Sequence, residues 1–132
     1  MSTCNIVIHA LVTTAVVRVA RAVGAKNTWH PWLLLIIVMI ATVSVLMVAH
    51  ASEVIVWSLA YAIVNAAPDS ADMVYFAFVN YTTLGYGDII PIEPWRLLAP
   101  MTAMNGVLLF GWSTAVIFEV LRRAMMRTSI LS

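Results

Sequence analysis

The longest apolar block of the chain, residues 31–67, constrains the fold more than any other feature. Only His50 and Glu53 can carry charge near neutral pH within it. As one helix, residues 32–64 would rise roughly 50 Å, against a hydrocarbon core of about 30 Å. The block therefore predicts a membrane-spanning helix that tilts strongly, projects beyond the bilayer or bends near His50.

The composition of the whole chain agrees with a membrane location. Hydrophobic residues make up 63% of the sequence and charged residues 10%, whereas a soluble domain has about 25% charged residues. These proportions exclude a soluble enzyme, a nucleic-acid binder and a disordered tail. The net charge of +1 gives no strong field for an acidic partner. The single cysteine, Cys4, excludes an internal disulfide and a cysteine-based metal cage.

Two further apolar blocks are long enough to cross a membrane. Residues 5–24 reach about the 20 residues that a span needs, and they predict an N-terminal transmembrane helix, with an interfacial helix as the alternative. Basic residues follow the apolar core of this block, which is not the pattern of a signal peptide. Residues 95–121 predict the last transmembrane helix.

A short apolar and aromatic segment, residues 70–81, lies between the second and third blocks. A helix of this length cannot cross the bilayer, so the segment is a candidate for a re-entrant helix. Asp69 is the predicted N-cap, and Asp72 follows three residues later, near the positive end of the helix dipole.

The basic residues predict the orientation of the chain. Six of the seven lie either before the second block or after the third: Arg18, Arg21, Lys26, Arg122, Arg123 and Arg127. The positive-inside rule places both groups on the cytoplasmic side. The chain is then a multi-pass protein of the cell membrane with three transmembrane helices, an outside N-terminus and a cytoplasmic C-terminus.

Residues 82–88 read Thr-Thr-Leu-Gly-Tyr-Gly-Asp and directly follow the short helix. A cation that crosses lipid must exchange its water for fixed oxygens, and non-helical backbone is tolerated at membrane depth only where it lines a cavity. Successive carbonyls can face one axis if alternate residues adopt left-handed dihedrals, which Gly85 and Gly87 do without a Cβ penalty. Because one strand cannot encircle an ion, several copies must meet around the axis.

This segment resembles the selectivity filter of potassium channels, Thr-Val-Gly-Tyr-Gly, with Leu84 in place of valine. Over about residues 31–124 the chain is similar to small prokaryotic potassium channels of the ion-channel-2 pore-loop type, through Asn105-Gly106 and residues 110–115. The resemblance implies an all-α membrane fold of outer helix, re-entrant pore helix, filter and inner helix, assembled as a homotetramer. The expected filter residues are Thr83, Leu84, Gly85, Tyr86 and Gly87, with K⁺ held by the carbonyls of the first four and by the Thr83 hydroxyl.

The resemblance also implies a division of the chain and a function. Residues 1–30 form the N-terminal helix and a basic cytoplasmic loop, residues 31–124 the pore domain, and residues 125–132 a short cytoplasmic tail. The expected activity is passive, potassium-selective conduction, with the lipid bilayer and other copies of the chain as partners. Alternatives are a weakly selective cation channel, which Tyr86 argues against, and a non-conducting membrane subunit or sensor. Val79 departs from family members that place a carboxylate behind the filter.

Enzymatic activity is not expected, and neither is a cofactor, a nucleic-acid partner or a small-molecule substrate. The sequence contains no evident nucleophile–base pair and no phosphate-binding loop. His9, His30 and His50 are far apart in the sequence, so we expect no histidine–carboxylate metal cluster.

Several residues around the filter segment have a functional interpretation and a structural alternative. Tyr75, Phe76 and Tyr86 can brace the filter beside Thr82 as an aromatic collar, or they can serve in ordinary packing and interfacial anchoring. Asp88 can attract cations at the outer mouth and hold the filter by hydrogen bonds. An ion pair between Asp88 and Arg96 is the alternative.

Polar residues in the spans also admit two interpretations. His50 and Glu53 share a helix face and form either a proton-sensitive contact or a simple pair near the outer interface. Asn105 and Thr102 line a wet cavity, or Asn105 bonds across helices. Glu119 contributes to a ring of carboxylates at the inner mouth or to an ion pair with the arginines that follow it.

Two glycines of the third block are possible positions for a gate. Gly106 and Gly111 can act as hinges for opening, or they can be small residues that permit close helix packing.

Overall fold

In a computed structural model of the protein, the described residues are 1–24 and 31–130, without the side chains of residues 23, 24, 31 and 127–130. Lys26 and His30 lie outside the described residues, and so does the side chain of Arg127. The predictions that involve them are therefore not addressed by the structure.

The described part of the chain consists of four helices and contains no strand. These are α1 (Ser2–Gly24), α2 (Pro31–Ile63), α3 (Met73–Tyr81) and α4 (Leu98–Ile130). Three of them contain segments that are long and apolar enough to cross a membrane, namely Ser2–Ala22, Trp32–Ile63 and Leu98–Met126. Helix α3 has only nine residues. The predicted all-α membrane fold with three long helices and one short helix is confirmed.

Helix α1 packs lengthwise against both α2 and α4. Two of its polar residues, Asn5 and His9, are fully buried between the other helices. A helix that lay flat in the interface would keep these polar groups near water. The packing therefore favours a span over the interfacial alternative for α1.

Helix α2 is continuous over 33 residues, so the helix is not interrupted near His50, where a bend was one of the three alternatives. It ends just before Asn65, whose φ of +51° is the left-handed conformation common after a helix C-terminus. At 1.5 Å per residue, a helix of this length rises about 50 Å. It must therefore tilt or project beyond a hydrocarbon core of about 30 Å.

Contacts between distant residues set the relative directions of α2 and α4. Leu46 of α2 packs with Val116 and Val120 of α4. Further along α2, Tyr61 shares a hydrogen bond with Thr102, which lies earlier in α4. The two helices are therefore antiparallel.

Helix α1 runs parallel to α4, because Asn5 bonds to Asn105 and Val16 packs near Val116. The C-terminal ends of α1 and α4 consequently lie at the same end of the bundle. Four basic residues mark this end: Arg18, Arg21, Arg122 and Arg123. The grouping of positive charge at one end agrees with the predicted topology.

The start of α3 differs from the prediction. The helix begins at Met73, and its N-cap is Asp72, whose carboxylate accepts hydrogen bonds from the backbone N–H groups of Val74 (2.9 Å) and Tyr75 (3.1 Å). The prediction of a helix over residues 70–81 capped by Asp69 was wrong at this end. Asp72 has the extended backbone of an N-cap and satisfies two otherwise unpaired amide groups, so the helix starts after it.

Helix α4 begins at Leu98 and continues to Ile130, so it starts three residues later than predicted and extends well past residue 121. Before it, the N–H of Leu98 donates to the carbonyl of Trp95 in a turn. Residues 125–130, expected in a short tail, prolong the last helix.

An aromatic core holds α3 against α2. Trp57, Tyr61, Phe76 and Tyr81 are all buried in one cluster, and the rings of Tyr61 and Phe76 have centroids 4.9 Å apart. Burial of a large aromatic side chain contributes about 1.5–3 kcal/mol. This core fixes the position of the short helix and of the segment that follows it.

Candidate functional site

The segment that follows α3, residues 82–88, alternates in backbone conformation. Thr83, Gly85 and Gly87 have φ values of +60°, +59° and +78°. Glycine adopts this conformation without a steric penalty, whereas a β-branched residue such as Thr83 is strained there. Left-handed dihedrals at every second residue are what the spacing of the two glycines led us to expect.

The beginning of this segment is tied back to α3 by backbone hydrogen bonds. The N–H groups of Thr82, Thr83 and Leu84 donate to carbonyls of α3 at 2.9, 3.1 and 2.9 Å. The Thr82 hydroxyl also donates to the carbonyl of Phe78 at 2.7 Å. The position of the segment therefore follows directly from the position of the short helix.

All residues from 82 to 88 are exposed within the single chain. The ring of Tyr86 is the largest of these side chains and is 68% exposed. Contacts inside one chain thus do not provide the collar role predicted for Tyr86.

Tyr75 and Phe76, the other two predicted collar residues, have different environments. Phe76 is 1% exposed and packs in the aromatic core, as the packing alternative predicts. The Tyr75 hydroxyl donates a 2.7 Å hydrogen bond to Asp88 Oδ2. This hydrogen bond is the main reason why the pKa of Tyr75 lies above its ordinary value, so the hydroxyl remains a donor at neutral pH.

Arg96 does not pair with Asp88, so that alternative was wrong. Arg96 Nη1 instead lies 3.1 Å from Glu93 Oε1, in an exposed ion pair between residues three apart. The Asp88 carboxylate accepts from Tyr75 of α3. Asp88 therefore connects the C-terminal end of the segment to the first turn of the short helix.

Gly106 is where α4 touches the end of α3. A Cβ atom at this position would lie 2.0 Å from the carbonyl oxygen of Tyr81 and 3.0 Å from its carbon. Such distances are far below any permitted contact, so only glycine fits. The structure thus favours close packing over a hinge at Gly106, while a Cβ at Gly111 would meet no atom within 4 Å.

Side chains from all four helices meet in what we call the buried polar cluster: His9, His50, Glu53, Tyr81 and Ser113. Glu53 and His9 are 0% exposed. Glu53 Oε1 lies 2.9 Å from His9 Nδ1, and Oε2 lies 3.1 Å from His50 Nδ1. The Tyr81 hydroxyl donates to Oε2 and lies 2.9 Å from His50 Nδ1.

Ser113 connects the far sides of the two imidazole rings. Its Oγ lies 2.9 Å from His50 Nε2 and 3.2 Å from His9 Nε2. The ring centroids of His9 and His50 are 5.2 Å apart. Both histidines are thus held at both nitrogens by groups from other helices.

The buried polar cluster overturns one sequence prediction and decides against one alternative. We expected no histidine–carboxylate cluster, but the packing of α1 against α2 brings His9 to His50 and Glu53. The latter two do pair, but within a larger network buried inside the bundle, so the alternative of a simple pair is wrong. An ionisable residue inside an apolar span was the available signal, but nothing in the sequence identified its partner on α1.

A second polar layer lies beside the buried polar cluster. Asn105 Oδ1 accepts hydrogen bonds from Asn5 Nδ2 and from Trp57 Nε1, both at 3.0 Å. Asn5 Nδ2 also donates to the backbone carbonyl of Glu53. Of the two interpretations of Asn105, the structure favours the bond across helices, and Thr102 likewise bonds to Tyr61 inside the chain.

Glu119 forms ion pairs with two arginines of the same helix. Its Oε2 lies 2.8 Å from Arg122 Nη2, and its Oε1 accepts from Arg123 Nε. The ion-pair interpretation of Glu119 therefore describes its contacts within one chain, at the basic end of the bundle.

Comparison with protein families identifies the class of the chain. The model of the family described as "Ion channel" matches residues 33–123. The match runs from the start of α2 to the basic end of α4 and contains α3 and residues 82–88, while α1 lies outside it. Searches among curated proteins and among solved structures found no match. Since the matched region is more than half of the chain, the protein belongs to the ion channel family.

Proposed function

We propose that this chain is the subunit of a homotetrameric, potassium-selective channel that conducts K⁺ passively across the cell membrane. The observation that carries the proposal is the segment 82–88, with its Thr-Thr-Leu-Gly-Tyr-Gly-Asp sequence and positive φ at residues 83, 85 and 87. Its exposure within one chain supports an assembly in which four copies face a common axis. We expect no enzymatic activity.

In the proposed mechanism, backbone oxygen replaces the water around the ion. K⁺ loses water near the Thr83 hydroxyl and passes rings of carbonyls from Thr83, Leu84, Gly85 and Tyr86. Each ring binds the ion weakly enough for the next ion to displace it. Gly87 completes the alternating segment, and Asp88 lies at the outer mouth.

The contacts of the segment support a rigid filter. Its first residues bond to α3, and α3 itself is held by the aromatic core and by the backbone contact at Gly106. At the other end, Asp88 accepts from Tyr75. Rigid support matters because a carbonyl ring discriminates between ions only if its oxygens keep their number and spacing.

The orientation follows from charge. We propose that the end with Arg18, Arg21, Arg122 and Arg123 is cytoplasmic, which puts both the C-terminus and the Glu119 ion pairs inside. The connection between α2 and α4, which contains α3 and Asp88, then enters the membrane from the outer side. The three long helices are the three transmembrane helices of a multi-pass protein.

The proposal is tested by flux into liposomes that contain the purified chain. We expect K⁺ to pass far faster than Na⁺ and Ba²⁺ to block the flux. In Gly85→Ala, where a side chain is forced into a positive φ, K⁺ flux or selectivity should be lost. Equal K⁺ and Na⁺ flux in the wild type would indicate a weakly selective cation channel. No flux from a tetramer would indicate a non-conducting membrane subunit.

A further inference from the structure

The nitrogen and oxygen atoms of the buried polar cluster are arranged like the ligands of a metal ion. One ligand atom each from His9, His50 and Glu53 lies within 4.8 Å of the others, and all three residues are buried. Both Nδ1 atoms face the same carboxylate, at 2.9 and 3.1 Å. The Tyr81 oxygen is a fourth donor on the same side, 2.9 Å from His50 Nδ1.

Neutral side chains supply one proton fewer than the contacts of the cluster require. Six contacts join the five side chains. Three of them form a triangle of His50 Nδ1, Glu53 Oε2 and the Tyr81 oxygen, which two protons can serve through a shared hydrogen bond. The set then needs five protons, whereas two neutral imidazoles, one phenol and one alcohol supply four. Either one additional proton on a ring or a metal ion in place of protons completes the set.

A divalent metal ion accounts for all six contacts. Four of them join the atoms His9 Nδ1, His50 Nδ1, the Glu53 carboxylate and the Tyr81 oxygen, and they become contacts between ligands of one ion. The remaining two join the Nε2 atoms to Ser113 Oγ. Both imidazole protons then reside on Nε2, and the serine oxygen accepts both with its two lone pairs.

Ser113 also has a role that is common in protein metal sites, namely accepting hydrogen bonds from the metal-bound histidines. A metal-bound histidine almost always donates its other ring N–H to a hydrogen-bond acceptor, which fixes the tautomer and the ring orientation. One serine oxygen provides this acceptor for both His9 and His50.

Distance and charge favour an ion of the Zn²⁺ class. Tetrahedral ligands at about 2.0–2.1 Å from zinc stand roughly 3.3 Å apart. The distances from His9 Nδ1 to Oε1 (2.9 Å) and from His50 Nδ1 to Oε2 (3.1 Å) need to widen by only a few tenths of an ångström, and the closer contact of the Tyr81 oxygen with Oε2 needs to widen by more. A divalent ion with two neutral imidazoles, one carboxylate and one phenolate has no net formal charge. A neutral site avoids the cost of burying charge inside a membrane.

We propose that His9, His50, Glu53 and Tyr81 bind one divalent transition-metal ion of the Zn²⁺ class, oriented by Ser113. Binding displaces the hydroxyl proton of Tyr81 into solvent. The ion joins α1 to α2 and to the last residue of α3, which directly precedes residues 82–88.

The test measures binding to the full chain purified in detergent with K⁺ present and stripped of metal by a chelator. After equilibration with Zn²⁺ and removal of free ion, we expect one zinc per chain by elemental analysis. Co²⁺ in place of Zn²⁺ should give the visible absorption of a four-coordinate ion. Loading should also release a proton and produce the ultraviolet difference spectrum of an ionised tyrosine, absent in Tyr81→Phe.

Variants locate the site. His9→Gln and Glu53→Gln should lose zinc, and Ser113→Ala should bind roughly 10–100-fold more weakly. The matched controls are His30→Ala, which changes the third histidine of the chain, and Glu93→Gln, which changes an exposed carboxylate; both should retain one zinc.

Two results would overturn the proposal. One is a wild-type chain that retains no Zn²⁺ and gives no four-coordinate Co²⁺ spectrum. This outcome is measured on the wild type alone, so it does not depend on whether any variant folds. The other is retention by His9→Gln and Glu53→Gln equal to that of the controls. Neither result depends on whether the chain conducts ions.

Discussion

At the residue scale, few side chains determine how residues 82–88 are held. Thr83, Gly85 and Gly87 adopt positive φ, and two of the three are the residue type that tolerates it. Tyr75 and Asp88 bond across thirteen positions of sequence and connect the C-terminal end of the segment to α3. The segment is thus supported at both ends by α3.

The bond between Tyr75 and Asp88 predicts a coupled pair of variants. Tyr75→Phe and Asp88→Asn each remove the charge-assisted hydrogen bond, so each should reduce selective K⁺ flux. The double variant should be little worse than either single one, because the bond can be lost only once. The wild type, the two single variants and the double variant are compared by K⁺ flux into liposomes at matched protein content. Fully additive losses would show that the two residues act independently.

The same bond predicts how the protein responds to alkaline pH. Asp88 raises the pKa of Tyr75 above 10.0, so the stabilising bond is present below that value and is lost as pH rises through the raised pKa. Wild-type flux should therefore show an alkaline decline that Tyr75→Phe lacks. An identical pH profile in both proteins would contradict this role.

At the element scale, the position of α3 is set by its contact with α4. Gly106 brings the backbone of α4 against the carbonyl of Tyr81, and the aromatic core holds the opposite side. The same two helices carry Ser113 and Tyr81 into the buried polar cluster. Packing of α3 and formation of the cluster are therefore linked.

Gly106→Ala should destabilise the protein, because its methyl group would lie 2.0 Å from a backbone oxygen. Relief requires α3 and α4 to move apart, and overpacking of this kind costs about 1–3 kcal/mol. Thermal unfolding in detergent should show a lower midpoint than the wild type. Gly111→Ala is the matched control, since its methyl meets no atom within 4 Å and alanine favours a helix. Equal midpoints for both variants would contradict the assigned contact.

Much of the arrangement of helices was predictable from the sequence. Hydropathy located the three long helices because a span needs about 20 apolar residues, and the glycine spacing predicted the alternating segment. The start of α3 was misplaced because Asp69 and Asp72 are both good caps, and only backbone geometry decides between them. The buried polar cluster was missed because His9 lies 44 positions from Glu53, and only the packing of α1 against α2 makes them neighbours.

At the scale of the whole molecule, the distribution of charge agrees with membership of the ion channel family. Arg18, Arg21, Arg122 and Arg123 lie at one end of the bundle, Asp88 and the exposed segment lie toward the other, and the ion channel family covers α2 to α4. The apolar face of the long helices is exposed within one chain, as lipid contact requires. Four chains around one axis would bring their residues 82–88 together.

The most direct test of potassium selectivity is the reversal potential of single wild-type channels in a planar bilayer, with K⁺ on one side and an equal concentration of Na⁺ on the other. Each tenfold ratio of permeabilities shifts this potential by about 59 mV. We predict a shift of at least roughly this size in the direction of K⁺ selectivity. A channel that reverses near zero would contradict the assignment of residues 82–88 as a potassium filter.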